Sequence, residues 1–211
     1  MEHEIVYSPF KHSEDVKSLF EEHSKELNEY LEVLLWWNKK VNLVSRDVSR
    51  ETLRSHLEHS LVLCFSQFFQ RSQRIIDAGT GGGLPGIPLA IVFSEKKVVL
   101  NDVVSKKITA CKQMVYKLGL KNIVTKAGSI EHLEISGSDL VVSKHAFKIN
   151  DLVRLLEGKS WENIVLLKGE NVESELGGLK EPLKINVMSL DSFNNSFYDG
   201  KALVEISKID I

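Results

Sequence analysis

Cysteine is nearly absent: the 211 residues include only Cys64 and Cys111, each in an apolar-periodic stretch and neither near a partner. No CxxC pattern exists, which excludes the familiar redox and zinc motifs and predicts two reduced core thiols. Apolar runs extend over only a few residues, far short of the roughly 20 that a membrane helix needs. The start, Met-Glu-His-Glu-Ile, lacks a basic segment leading into an apolar one, so no signal peptide is expected and the cytoplasm is the expected location. A surplus of positive charge is also missing. Twenty-seven Lys and Arg face 29 Asp and Glu, for a net charge of −2. Proteins that hold nucleic acid by overall charge are basic, so any such role here must rest on a local patch. There is no internal repeat and no low-complexity tract.

What is present is a change of period near residue 74. Before it, Leu19, Leu27, Leu31, Leu34 and Leu35 recur at helical spacing, which predicts a helix over 13–37 with Ser13 as its cap. Leu53, Leu57, Leu61 and Phe65 predict another over 47–69. After it, short apolar runs alternate with helical patterns. Strands are expected at 74–79, 98–102, 122–126, 139–143 and 163–168, with helices at 84–92, 105–118 and 150–156. Two last strands, 185–190 and 202–208, flank the turn-rich 194–200 segment and suggest a closing hairpin. The alternation predicts an α/β fold with an open, mostly parallel sheet and helices on both faces. Residues 1–70 are expected as a helical extension packed on a core formed by 71–211.

The most informative run is Asp77-Ala-Gly-Thr-Gly-Gly-Gly-Leu-Pro-Gly86, a glycine-rich turn between a strand and a helix. Such a turn lets backbone approach a ligand closely and opens onto a helix N-terminus. Gly81, Gly83 and Gly86 also satisfy G-x-G-x-x-G, the dinucleotide fingerprint. Two features favour S-adenosylmethionine instead. Asp77, at the strand end, can orient the turn and accept from an ammonium group but would repel a pyrophosphate. Pro85 removes one N–H that a pyrophosphate would use. Asp102 closes the second strand, where an acid can accept ribose hydroxyls from either cofactor; it can equally serve as a capping or turn aspartate. Ile130, after the third strand, offers an apolar face to an adenine ring, whereas Glu131 reads equally as a solvated carboxylate at a helix start.

At this point the residues resemble a known family. Trp37-Asn-Lys-Lys-Val-Asn-Leu-Val-Ser45, His56-Leu-Glu-His-Ser-Leu61, the 77–88 run ending Leu-Pro-Gly-Ile-Pro, Asn101-Asp-Val-Val-Ser-Lys-Lys107 and Ser143-Lys-His-Ala-Phe147 are similar to the glucose-inhibited division protein B family. Its members are bacterial N7-guanine methyltransferases of small-subunit (16S) ribosomal RNA. The resemblance spans roughly residues 30–170. It implies a Rossmann-like, seven-stranded class I methyltransferase sheet and S-adenosyl-L-methionine as cofactor. Family cofactor contacts fall on Gly79, Leu84, Ile130 and Glu131. A family arginine before the Ala-Phe pair falls on His145, and a family acid falls on His59. Lys144, or His145 when protonated, is the expected replacement for the arginine's charge.

N7 of guanine has a lone pair and no proton, so the reaction needs no general base. Lys144 and Phe147 are the candidates for positioning the acceptor. For RNA contact the candidates are Lys39, Lys40, Arg46, Arg50 and Arg54, set against only Asp47 and Glu51 over residues 36–56, together with Lys148. Trp36 is expected in the core, and Phe147 against the target base. His56 and His59 stand at i, i+3 without an evident third ligand, and no metal is expected. The expected partner is small-subunit ribosomal RNA or the assembled small subunit, met by a monomer. A small-molecule methyltransferase, a nicotinamide-dependent oxidoreductase and a non-catalytic RNA-binding module are the alternatives.

Overall fold

The computed structural model describes residues 3–45 and 47–209; Arg46, one of the expected RNA contacts, lies outside them. Among the described residues, eight strands form a single sheet: β1 (Glu4–Pro9), β2 (Arg74–Ala78), β3 (Lys97–Asp102), β4 (Ile123–Ala127), β5 (Asp139–Lys144), β6 (Asn163–Gly169), β7 (Leu183–Ser189) and β8 (Lys201–Lys208). Their order is β1-β7-β8-β6-β5-β2-β3-β4. All neighbours run parallel except β8, which is antiparallel to both β6 and β7. The seven strands expected from periodicity and the closing hairpin are thus present. The eighth, β1, is an addition inside the segment expected to be helical.

The helices are α1 (Ser13–Glu22), α2 (Ser24–Asn38), α3 (Arg50–Leu61), α4 (Gln67–Arg71), α5 (Gly86–Val92), α6 (Ser105–Lys117) and α7 (Ile149–Leu155). The helix expected over 13–37 is two, broken at His23, which leaves helical geometry at φ −105°, ψ 18°. Residue 13 begins α1 without a side-chain cap. The helix expected over 47–69 starts at Ser49, whose hydroxyl accepts from Thr52 N, and gives way to a 3₁₀ turn over Val62–Phe65. Ser66 then caps α4 by accepting from Phe68 N.

Burial is nearly continuous along each central strand, as a sheet covered on both faces requires, with successive side chains pointing to opposite faces. Ile75, Leu100, Leu140, Val142, Val165 and Leu167 join one apolar cluster with side chains from α1 to α6. Ile76, Val99, Val141, Ile164 and Leu166 join another, with Ile149 and Leu152 of α7 and with Trp161. From β2 the chain runs outward to β3 and β4 on one side and later to β5 and β6 on the other. The carboxyl end of β2 is therefore the topological switch point, where the crevice for a ligand opens in sheets of this kind. Among the described residues, no helix is long and apolar enough to cross a membrane.

Candidate cofactor and acceptor site

The glycine-rich turn sits at that switch point. Gly79, Gly81 and Gly83 all have positive φ, at 70°, 56° and 101°. Asp77 lies fully buried beneath them. Its Oδ2 accepts from the Thr80 hydroxyl at 2.5 Å and from Gly86 N at 2.8 Å, pinning both ends of the turn. A Cβ on Gly86 would come within 2.7 Å of that same oxygen, so only glycine permits the approach. Of the two jobs expected of Asp77, these bonds perform the orienting one; the side chain has no exposed surface with which to meet an ammonium group. Burial pushes its carboxyl up to about 7, against the pull of the Thr80 and Gly86 bonds.

Asp102 ties the turn to β3. One carboxylate oxygen accepts from Gly81 N at 3.0 Å and the other from Val104 N at 2.8 Å, just ahead of α6. The capping and turn role weighed for this residue is therefore present. Each oxygen retains a further lone pair for a ribose hydroxyl. Asn101 donates to Lys126 O and Gly128 O, fixing the neighbouring loop after β4.

Two clefts meet at Gly79, Lys107 and Ala146. The first, of about 450 Å³, lies between the turn, Leu84, the Leu43–Ser45 segment, His56, Lys144 and His145. The second, of about 340 Å³, is lined by Asp102, Val103, Ser129, Ile130 and Phe147. Val103 is 68% exposed, an apolar side chain with no cover in the protein. Glu131 is exposed and bonded to Ser129, and it does not line this wall. A third hollow, of about 310 Å³, lies across the 145–147 arm and is bounded by Phe147, Lys148, Lys168 and Glu175.

The first cleft's outer wall was not legible as such in the sequence. Asn38 ends α2 with its Nδ2 donating to Ser45 O and its Oδ1 accepting from Leu43 N and Val44 N, which folds the 43–45 segment over the turn. Tyr30, buried in α2, donates to Gly82 O at 2.8 Å. The Trp37–Ser45 motif held the signal, but its job is to wall the cleft. Lys107, also inside a quoted motif, lines both clefts.

Electrostatics correct one expectation. His145 is exposed at the cleft edge, yet desolvation, then the charges of Lys144 and Lys201, bring its ring down to about 4, so it does not replace an arginine's charge at pH 7. His59 is wholly buried, its ring nitrogens without partners, and burial keeps it neutral too; the two rings lie 5.7 Å apart. Trp36 is 51% exposed, outside the core, with its ring edge-on to Trp37 and under Lys40 Nζ at 3.6 Å. The expected RNA contacts divide. Lys39 and Lys148 are exposed, whereas Arg50 pairs with Glu32 and Arg54 with Glu21, both at 2.5 Å, tying α3 to α2 and α1.

Comparison with known proteins follows this geometry. Residues 23–201 match the family model described as rRNA small subunit methyltransferase G. A protein of that name from Chlorobium luteolum is 39% identical over 149 residues, which cover 70% of this chain and 63% of the relative. Its counterparts from Chlorobium limicola and Bacteroides thetaiotaomicron are 35% and 30% identical, covering 79% and 88% of this chain and 81% and 93% of their own lengths. Among solved structures, a ribosomal protein L11 methylase from Lactobacillus delbrueckii subsp. bulgaricus superposes with a TM-score of 0.54 at 16% identity, covering 77% of this chain and 81% of its own. The apo S-adenosylmethionine-dependent methyltransferase SibL gives 0.53 at 16%, covering 76% and 57%. These two likenesses establish a class I methyltransferase sheet, here with β1 added at its edge. Taken with a family match from 23 to 201, they make the chain a member of the rRNA small subunit methyltransferase G family, GidB.

Proposed function

We propose that this chain transfers a methyl group from S-adenosyl-L-methionine to N7 of a guanine in small-subunit (16S) ribosomal RNA, acting as a cytoplasmic monomer on the RNA or the assembled subunit. The observation that carries the reading is the pair of clefts meeting at Gly79. A Cβ there would lie 2.5 Å from that of Ala146, so the glycine keeps open the floor shared by both. The residues present fit the cofactor. Asp102 would hold the ribose, Ile130 and Val103 the adenine, and Gly79, Gly81 and Leu84 the amino-acid end, while Gly83, packed against Ile87 and Tyr30, shapes the turn from behind. Bound there, the cofactor supplies an electrophilic methyl group on a sulfonium sulfur.

The acceptor nitrogen has no proton to lose, so the chain's contribution is alignment. Fixing reacting groups in place is worth up to roughly 7–11 kcal/mol in well-oriented systems. Phe147, bordering both the second cleft and the hollow beyond it, presents a ring against which the target base stacks. Lys144 reaches the first cleft from the end of β5, and Lys39, Lys40 and Lys148 meet the RNA around it. Calorimetric titration with S-adenosylmethionine tests the cofactor half of the reading. Micromolar binding is expected, lost in Asp77→Ala as the turn comes free; a folded wild-type protein that binds NADH instead would overturn it.

A further inference from the structure

The cations expected to meet RNA on α3 are matched by acids, but those at the carboxyl edge of the sheet are not. Lys144 ends β5 and pairs in register with Leu167; two residues further along β6, Gly169 pairs with Lys201 of β8. Lys144 Nζ lies 2.7 Å from His56 Nδ1 on α3. An ammonium group can only donate, so Nδ1 accepts and the His56 proton sits on Nε2. The pair thus keeps further N–H donors for a ligand, and both residues line the first cleft. Among the described residues, neither Lys144 nor Lys201 forms an ion pair, and Lys201 Nζ is bonded only to Phe197 O. Behind them stands the neutral His59, with no hydrogen-bond partner for either nitrogen among the described residues.

A half-buried amine with no counter-charge is costly unless something completes it. Burial, reinforced by the Lys201 charge, brings the Lys144 ammonium down to about 7, with only the buried Asp77 opposing. The cofactor does not supply the missing charge. With a sulfonium, an ammonium and one carboxylate, it is a net cation. An RNA strand carries one negative charge per nucleotide.

We propose that Lys144, His56 and Lys201 form an oxyanion subsite for a backbone phosphate of the acceptor RNA beside the target nucleotide. This rests on the methyltransferase reading and adds to it the group that seats the strand at the sheet edge. Phosphate contacts fix register without reading sequence, which is what alignment over an open cleft needs.

The test uses the full chain, with 16S ribosomal RNA and isolated small subunits as probes. RNA affinity is measured from 50 to 200 mM salt by filter binding, and cofactor affinity separately by calorimetry. Lys144→Gln and Lys201→Gln are each expected to weaken RNA binding about tenfold and to reduce the salt slope by about one, and Lys201→Gln to leave cofactor affinity within twofold of wild type. Lys144→Arg should restore most of the RNA affinity. Should Lys144→Gln fail to fold, the more exposed Lys201→Gln carries the same expectation. Weaker cofactor binding with unchanged RNA binding would assign the subsite to the cofactor's carboxylate and overturn the proposal, as would unchanged salt slopes in both variants. Failure of the wild-type protein to bind the cofactor would instead strike the methyltransferase reading.

Discussion

Gly79 has little freedom at the site. Its φ of 70° and the 2.5 Å approach of Ala146 leave no room for a side chain. Gly79→Ala is expected to cost about 1–3 kcal/mol of stability and at least tenfold in cofactor affinity, read by thermal unfolding and calorimetry. Asp77 carries a pH signature. Its carboxyl titrates near 3.8 in an unfolded chain and near 7 in the fold, so the folded state holds the extra proton between those values. The stability tied to that proton is full below about pH 4 and is lost as pH rises through 7. Asp77→Asn retains an oxygen for Thr80 and Gly86 but does not titrate. Its melting temperature should therefore gain on wild type between pH 4 and pH 7; parallel melting curves would contradict the account. At this scale the sequence spoke clearly about backbone and poorly about charge. Asp77, the turn and Asp102 stood out by spacing. The lowered protonation of His145 did not, because besides its neighbour Lys144 it depends on Lys201 and Lys168, which lie on other strands.

At the scale of elements, the unforeseen device is the grip of α2 on the turn. Asn38 alone makes three bonds to the 43–45 segment, and the Leu43 carbonyl oxygen lies 3.2 Å from where a Cβ of Gly81 would sit. Asn38→Ala should lower stability by about 1–3 kcal/mol and weaken cofactor binding several-fold, whereas Tyr30→Phe, losing one bond to Gly82, should cost about 1 kcal/mol. Denaturant unfolding and calorimetry on the two variants check this. The elements themselves were legible where burial imposes a period. The central strands read as apolar runs, and α6 as a helical stripe. β1 was not legible: only Ile5 of Glu4–Pro9 is partly buried, so no alternation marks it, and its partner Lys184 lies 180 residues from Glu4. The break at His23 was hidden because leucines keep helical spacing across it.

On the scale of the whole molecule, a net charge of −2 fits an RNA enzyme only if positive charge is concentrated where it acts. The structure sorts the cations accordingly. Arg50 and Arg54 are matched by Glu32 and Glu21 across exposed ion pairs of at most about 1 kcal/mol each, while Lys144 lines the first cleft and, among the described residues, neither it nor Lys201 forms an ion pair. The fold class followed from alternation of strand and helix. The chemistry needed the turn, and the choice of acceptor needed the family. The direct test is to incubate the protein with methyl-labelled S-adenosylmethionine and unmodified small subunits or their RNA, digest the RNA and separate the nucleosides. The account predicts label in 7-methylguanosine, and much less of it with Gly79→Ala when the cofactor is below saturation. Label confined to another nucleoside, or none on RNA from a protein that binds the cofactor, would contradict it.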